Sequence, residues 1–303
     1  MSTQPAKTVD NKKADKNNAD TPTPFAGEER QGKTGSDKKL LHEPDYGVDS
    51  YVGHGRLDNK IALVTGADSG IGRAVALAYA REGADVTIAY HRHKEDAEET
   101  KRLVEGAGRR ALLVKGDIAD EKECQRLIAE VADHFGRIDV LVNNAAFQDK
   151  SVERFEDIDG ARVLKTFQTN VVSMFNLIRS ALPHFRERAA IINVASVQAY
   201  DPSPGILDYA STKGAIVTLT KGLAQELIKR DIRVNAVAPG PVWTPLIAAS
   251  FSEEQIETFG VDNPTGRAAQ PAELAPAFVF LASDESSYVN GEILGVTGGR
   301  LLA

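Results

Sequence analysis

The chain has 303 residues, 42% of them hydrophobic and 26% charged, with a net charge of −7 and a single cysteine, Cys124. The acidic balance and the lack of a long basic run argue against a nucleic-acid partner, and no stretch approaches the roughly 18 uninterrupted apolar residues that span a bilayer. One cysteine excludes an internal disulfide framework and a cysteine-rich metal site.

The start of the chain carries no apolar core of a secretory signal, so a cytoplasmic location is expected. Residues 1–39 hold, alanines aside, only Met1, Val9 and Phe25 as apolar side chains. Such a segment buries too little apolar surface to offset its chain entropy. It reads as a disordered or loosely draped tail. Residues 40–58 are richer in apolar and aromatic side chains and read as a connecting arm that packs on the body or on a neighbouring subunit.

From residue 59 to 303 the pattern changes. Short apolar runs (IALVTG, ADVTIAY, ALLVKGD, IDVLVNNAA, AAIINVAS, IRVNAVAPG and EILGVTGG) alternate with longer helical segments, which predicts seven strands. Alternation of this kind is the signature of βαβ units in one parallel sheet covered on both faces. The fold class expected is therefore α/β, a single doubly wound Rossmann-type domain with a seven-stranded parallel sheet. Cys124 lies in an amphipathic helical pattern and reads as an inert core or interface residue.

TGADSGIG, residues 65–72, joins the first strand to the first helix. Gly66, Gly70 and Gly72 permit tight turns and let a pyrophosphate approach the backbone. The first N–H groups of the helix and its dipole favour the same anion. Taken alone, the glycines could equally serve a tight strand–helix turn. Their place after the first strand favours nucleotide binding. DYASTKGA, residues 208–215, puts Tyr209 four positions before Lys213, a helical rotation of about 400° that nearly eclipses the two. That spacing alone fits a solvated polar face as well as a proton-transfer pair.

Thr65-Gly-x-x-x-Gly-Ile-Gly, then NNAA, then Ser196 ahead of Tyr209-x-x-x-Lys213, then PGPVWT, resembles the short-chain dehydrogenase/reductase family, over roughly residues 58–303. The resemblance implies nicotinamide-dependent hydride transfer to or from a carbonyl or alcohol. It also implies a homo-oligomer, a tetramer or dimer. It assigns Tyr209 as general acid/base, Lys213 as the cation that favours its phenolate and orients the cofactor ribose, Ser196 as the hydroxyl that polarises the carbonyl, and Asn170 as the helix-kinking residue that holds a relay water. Cofactor contacts implied are Gly66, Asp68, Ser69, Gly70, Ile71 and Gly72 in the loop, Asp117 and Ile118 beside the adenine, Asn143 and Ala145 in NNAA, and Pro239, Gly240, Val242 and Thr244 in PGPVWT. Tyr209 and Lys213 join that set. Asp117 is also read as a possible helix cap. Ala146 stands where the family more often has glycine.

The second strand ends IAYHRHK, with Tyr90 where an NAD-selecting acid would sit and His91, Arg92 and Lys94 after it. A basic residue there neutralises the 2′-phosphate of NADP, so NADP(H) is expected over NAD(H). Asp68 and Ser69, where NADP-preferring relatives often carry a basic residue, keep use of both cofactors open. The stretch VTIAYHRHKEDAEE is also similar to the sugar dehydrogenase branch, which makes a sugar or polyol dehydrogenase the alternative. A non-catalytic cofactor sensor is disfavoured because all four catalytic residues are present.

No histidine pairs with carboxylates at a metal-ligand spacing, so no metal is assigned. Residues 245–265 read as a lid over the substrate. Trp243 and Phe251, with Gln198, Ala199 and Tyr200, suggest a mixed pocket suited to a small aldehyde, ketone or sugar-like alcohol.

Overall fold

The computed structural model of the chain describes residues 22–32 and 34–302. The apolar runs form the strands expected of them. In chain order the elements are β1 (Ile61–Thr65), α1 (Gly70–Arg81), β2 (Asp85–Tyr90), α2 (Lys94–Gly106), β3 (Ala111–Lys115), α3 (Glu121–Phe135) and β4 (Ile138–Asn143). Next come α4 (Gly160–Phe167), α5 (Ser173–Ala181), β5 (Phe185–Val194), α6 (Leu207–Leu227) and β6 (Ile232–Pro239). The chain then forms α7 (Pro245–Ser250), α8 (Glu253–Glu257), α9 (Pro271–Ala282) and β7 (Ile293–Val296).

The seven strands lie in one sheet in the order β3-β2-β1-β4-β5-β6-β7, with every pairing parallel. The order reverses between β1 and β4, and the carboxyl ends beside that reversal are where such sheets bind ligands. β1, β2, β4 and β6 are buried at every residue, as strands covered on both faces must be. α1, α2 and α9 close one face, and α3, α5 and α6 close the other. Cys124 is buried in the second layer, with its thiol donating to the Ile118 carbonyl at 3.1 Å, and burial pushes its pKa up to about 12. It lies in the core, one of the two settings expected of it.

Residues 1–21 of the expected tail lie outside the described residues. From Pro22 the chain packs on the body. The Phe25 ring stacks on Trp243 with centroids 3.9 Å apart. The buried Glu28 carboxylate accepts the Leu41 and His42 N–H groups at 2.9 and 3.0 Å. Composition pointed to a loose segment because it measures apolar area. The anchors here are one aromatic stack and several polar bonds to distant residues.

Farther along the arm, Glu82 at the end of α1 gathers the Tyr51 hydroxyl at 2.5 Å, the His54 and Arg56 N–H groups and the Arg56 guanidinium at 2.6 Å. Burial works to raise the Glu82 pKa, but these donors outweigh it and hold the carboxyl at about 2.

Candidate active site

One cleft of about 1150 Å³ runs along the carboxyl ends of the strands. At its centre, β1 turns into α1. Gly66 and Gly70 adopt left-handed φ of 61° and 52°, and a Cβ on Gly66 would lie 2.9 Å from the Ala145 Cα. A Cβ on Gly72 would lie 2.1 Å from the Gly66 carbonyl oxygen. Gly72 therefore serves close helix–strand packing, whereas Gly66, Asp68, Ser69, Gly70 and Ile71 line the cleft itself. Ser69 precedes α1 without capping it through its side chain, so the first N–H groups of the helix are left for another acceptor. Asn144 locks this loop by donating to the Thr65 and Gly66 carbonyls at 2.9 and 3.0 Å. An anionic pyrophosphate fits this cradle in size and charge.

The proton-transfer residues meet farther along the same cleft. Ser196, Tyr209 and Lys213 all line it. The Lys213 ammonium donates to the Val194 carbonyl at 2.7 Å and lies 5.1 Å from the centre of the Tyr209 ring. Burial lowers the Lys213 pKa to about 7. Burial also raises the Tyr209 phenol, and a hydrogen bond with Ser196 counters part of the rise. The phenol is thus held protonated at neutral pH, which suits an acid in the reductive direction. Ser196 also accepts the Gln198 N–H at 3.2 Å.

Asn170 is fully buried within a π-helical turn, residues 168–172, between α4 and α5. Its side chain accepts the Phe147 N–H at 2.7 Å and donates to the Phe147 carbonyl at 2.9 Å and to Thr212 at 3.1 Å. It therefore braces the NNAA loop against α6, beside Lys213.

The family model described as enoyl-(acyl carrier protein) reductase matches residues 66–300. The "glucose and ribitol dehydrogenase homolog 2" of Arabidopsis thaliana is 47% identical, covering 92% of this chain and 98% of the relative. The "NADPH-dependent aldehyde reductase 1, chloroplastic" of the same plant is 44% identical, covering 91% and 98%. Among solved structures, a 3-ketoacyl-(acyl-carrier-protein) reductase from Brucella melitensis complexed with NADH superposes with a TM-score of 0.73 at 35% identity, covering 80% of this chain and 99% of that one. The chain belongs to the short-chain dehydrogenase/reductase family. It is an oxidoreductase.

In this dehydrogenase/reductase several of the positions expected to touch cofactor reach the cleft. Ala145, Asp117, Ile118, His91, Arg92, Pro239, Gly240, Val242 and Thr244 all line the cleft. Asp117 does not cap α3. Asp120 does so, accepting the Lys122 N–H at 2.7 Å, and Asp117 folds its own loop by accepting the Ala119 N–H at 3.0 Å.

Other positions move. Asn143 points into the layer beneath the sheet and donates to Asn193 at 2.9 Å, which donates on to Thr220 in α6 at 3.0 Å. Its role is to tie β4 to β5, and the adjacent Asn144 serves the loop. Lys94 turns outward to Glu98 at 3.3 Å, and His93 lines the cleft in its place. Trp243 is fully buried under Phe25 instead of facing substrate, and Ala199 and Tyr200 lie outside the cleft wall while Gln198 and Phe251 are in it.

Further residues of this site carried no readable signal. Asp208 is paired with Arg162 at 2.8 Å in the interior, which clamps the start of α6 beside Tyr209. Gln148, Lys165, Asp262 and Arg300 line the cleft. Arg300 pairs with Asp262 at 2.7 Å. Only contacts between distant segments reveal these positions.

Proposed function

We propose that the protein is a reductase or dehydrogenase of small carbonyl or alcohol compounds that prefers NADP(H). The carrying observation is that Ser196, Tyr209 and Lys213 share one cleft with the uncapped phosphate loop. The cofactor, when bound, supplies or receives the hydride. Tyr209 donates its proton to the carbonyl oxygen, Ser196 holds that oxygen, and Lys213 orients the ribose and steadies the phenolate left behind. Asn170 keeps the loop and α6 in register for this transfer, and as the resemblance suggests, it holds the relay water that replenishes the proton.

Preference for NADP(H) is supported by Arg92, His91 and His93 around the end of β2, with no acid at Tyr90. The relative named as an NADPH-dependent aldehyde reductase supports it too. A second reading, a sugar or polyol dehydrogenase using NAD(H) or both cofactors, rests on Asp68. This residue is buried in the cleft wall, and burial raises its pKa. Gln148, Gln198 and Ser203 at the substrate end add hydroxyl-binding groups.

Initial rates with aldehydes, ketones and polyols, each with both cofactors and read as nicotinamide absorbance, test these readings. Faster turnover of an aldehyde or ketone with NADPH is the expected result. Comparable kcat/KM with NADH, or a clear preference for it, would overturn the NADP(H) assignment. Preference for polyols would favour the second reading.

A further inference from the structure

Residues 34–46 run along the outside of the cleft. Thr34 and Gly35 form part of its wall together with Gly70, Ile71, Thr244 and Pro245. Gly35 approaches the lid so closely that a Cβ there would lie 2.0 Å from the Pro245 carbonyl oxygen. On one side, the Gln31 N–H donates to the Ala248 carbonyl of α7 at 2.9 Å. On the other, the Ser36 hydroxyl donates to Asp96 of α2 at 2.6 Å. The Asp37 carboxylate pairs with Arg73 of α1 at 2.9 Å and accepts the Tyr46 hydroxyl.

Arg73 is itself fixed from three directions. It donates to the Asp68 carbonyl at 2.5 Å, the Asp96 carbonyl at 2.9 Å and the Thr100 hydroxyl at 3.0 Å. The segment therefore ties the lid helix α7 to the first turns of α1 and α2, the three elements that flank the phosphate loop. The seven-stranded sheet closes without it, so its buried polar anchoring at the cleft calls for a role there.

We propose that residues 34–37 are a cofactor strap. A nicotinamide dinucleotide in the cleft is covered on its phosphate side by Thr34 and Gly35, and Asp37, pinned to Arg73, is the positioning residue that holds them in place. This rests on the cofactor reading above. The bound dinucleotide leaves only when the strap lifts, so the strap acts mainly on the dissociation rate.

Electrostatics gives the test a sign. Asp37, when ionised, places negative charge beside the proposed anion site, and its removal also frees the Arg73 charge. If Asp37 mattered only through charge, its loss would tighten binding of a phosphate-bearing ligand. The strap requires the opposite.

The experiment titrates the full chain, the Asp37→Ala variant and the Gly35→Val variant with NADPH and NADH, and measures dissociation by stopped-flow fluorescence. We expect Kd to rise about tenfold or more in both variants through faster dissociation. An Asp37→Ala Kd unchanged or lowered would overturn the strap. Should the variants fail to fold, trypsin cleavage of the parent after the exposed Arg30, Lys38 and Lys39 decides: saturating NADPH protects these bonds if the strap closes, and equal cleavage with and without it overturns the proposal. A parent chain that binds neither cofactor sinks the cofactor reading, and the strap with it.

Discussion

The two ends of the cleft are built on different physical terms. At the proposed catalytic end, Ser196, Tyr209 and Lys213 sit on or beside β5 and α6, and burial shifts both titrating groups, raising the Tyr209 phenol and weakening the Lys213 charge. At the proposed adenosine end, Asp37, Asp68 and Asp96 crowd around Arg73, and His91, Arg92 and His93 line the cleft at the end of β2. Burial raises the Asp37 pKa to about 7 against the pull of Arg73. The catalytic end depends on fixed placement by regular elements. The adenosine end is a balance of opposed charges that small substitutions can tip.

The sharpest way to break this contrast is at the catalytic end. Tyr209→Phe removes the proposed general acid, so kcat is expected to fall about 10²–10⁴-fold while cofactor Kd, read by fluorescence titration, holds. Retained turnover would sink the mechanism. Next in size is the pH response. Lys213 carries its charge below about 7 and loses it above, while the raised Tyr209 pKa keeps the phenol protonated. For carbonyl reduction, kcat/KM is therefore expected to be level below pH 7 and to fall about tenfold per unit above it. A level profile to pH 9 would show that the ammonium is not needed.

Between the two ends, Gly72→Ala drives a Cβ into the Gly66 carbonyl. Overpacking of this kind costs about 1–3 kcal/mol, measurable as a lowered Cm in urea with weakened cofactor binding. An unchanged Cm would mean the loop relaxes freely. The smallest effects lie on the adenosine rim. Arg92→Glu is expected to shift the NADP/NAD ratio of kcat/KM about two- to fivefold towards NAD, the scale of one exposed charge pair. Lys94→Ala, whose charge is turned to Glu98, should leave that ratio unmoved. Equal responses at both positions would break the assignment of the rim.

The sheet was legible because it rests on a local pattern: four to seven apolar residues bounded by glycine mark a buried parallel strand. The Tyr209–Lys213 spacing was ambiguous by itself, and the proposal for Ser196, Tyr209 and Lys213 comes from the family resemblance, with their shared cleft in support. Asn143, Trp243 and Lys94 were misjudged because position in a motif does not fix which way a side chain points. Trp243 faces away from substrate because Phe25 offers it an aromatic partner, and Lys94 faces outward because Glu98 lies one helical turn on. Residues 22–39 were read as loose because their anchors, Glu28 to the Leu41 and His42 amides and Asp37 to Arg73, are polar contacts that hydrophobic periodicity does not register. The Asp208–Arg162 pair and the cleft-facing Arg300 depend on tertiary contact alone.

The arm also bears on the order in which the molecule is assembled. The Trp243 indole donates to the His42 carbonyl across 201 positions of sequence, and Phe25 and Gln31 likewise await Trp243 and Ala248. During synthesis Asp37, Ser36 and Tyr51 meet Arg73, Asp96 and Glu82 early, whereas the Trp243 and Ala248 partners of Phe25, Gln31 and His42 emerge near the end. At about 5–20 residues per second, these last contacts wait about 10–40 s, during which the phosphate loop, α2 and most of the sheet can form. The arm therefore docks in two stages, its inner part early and the contacts of Phe25, Gln31 and His42 among the last steps of folding.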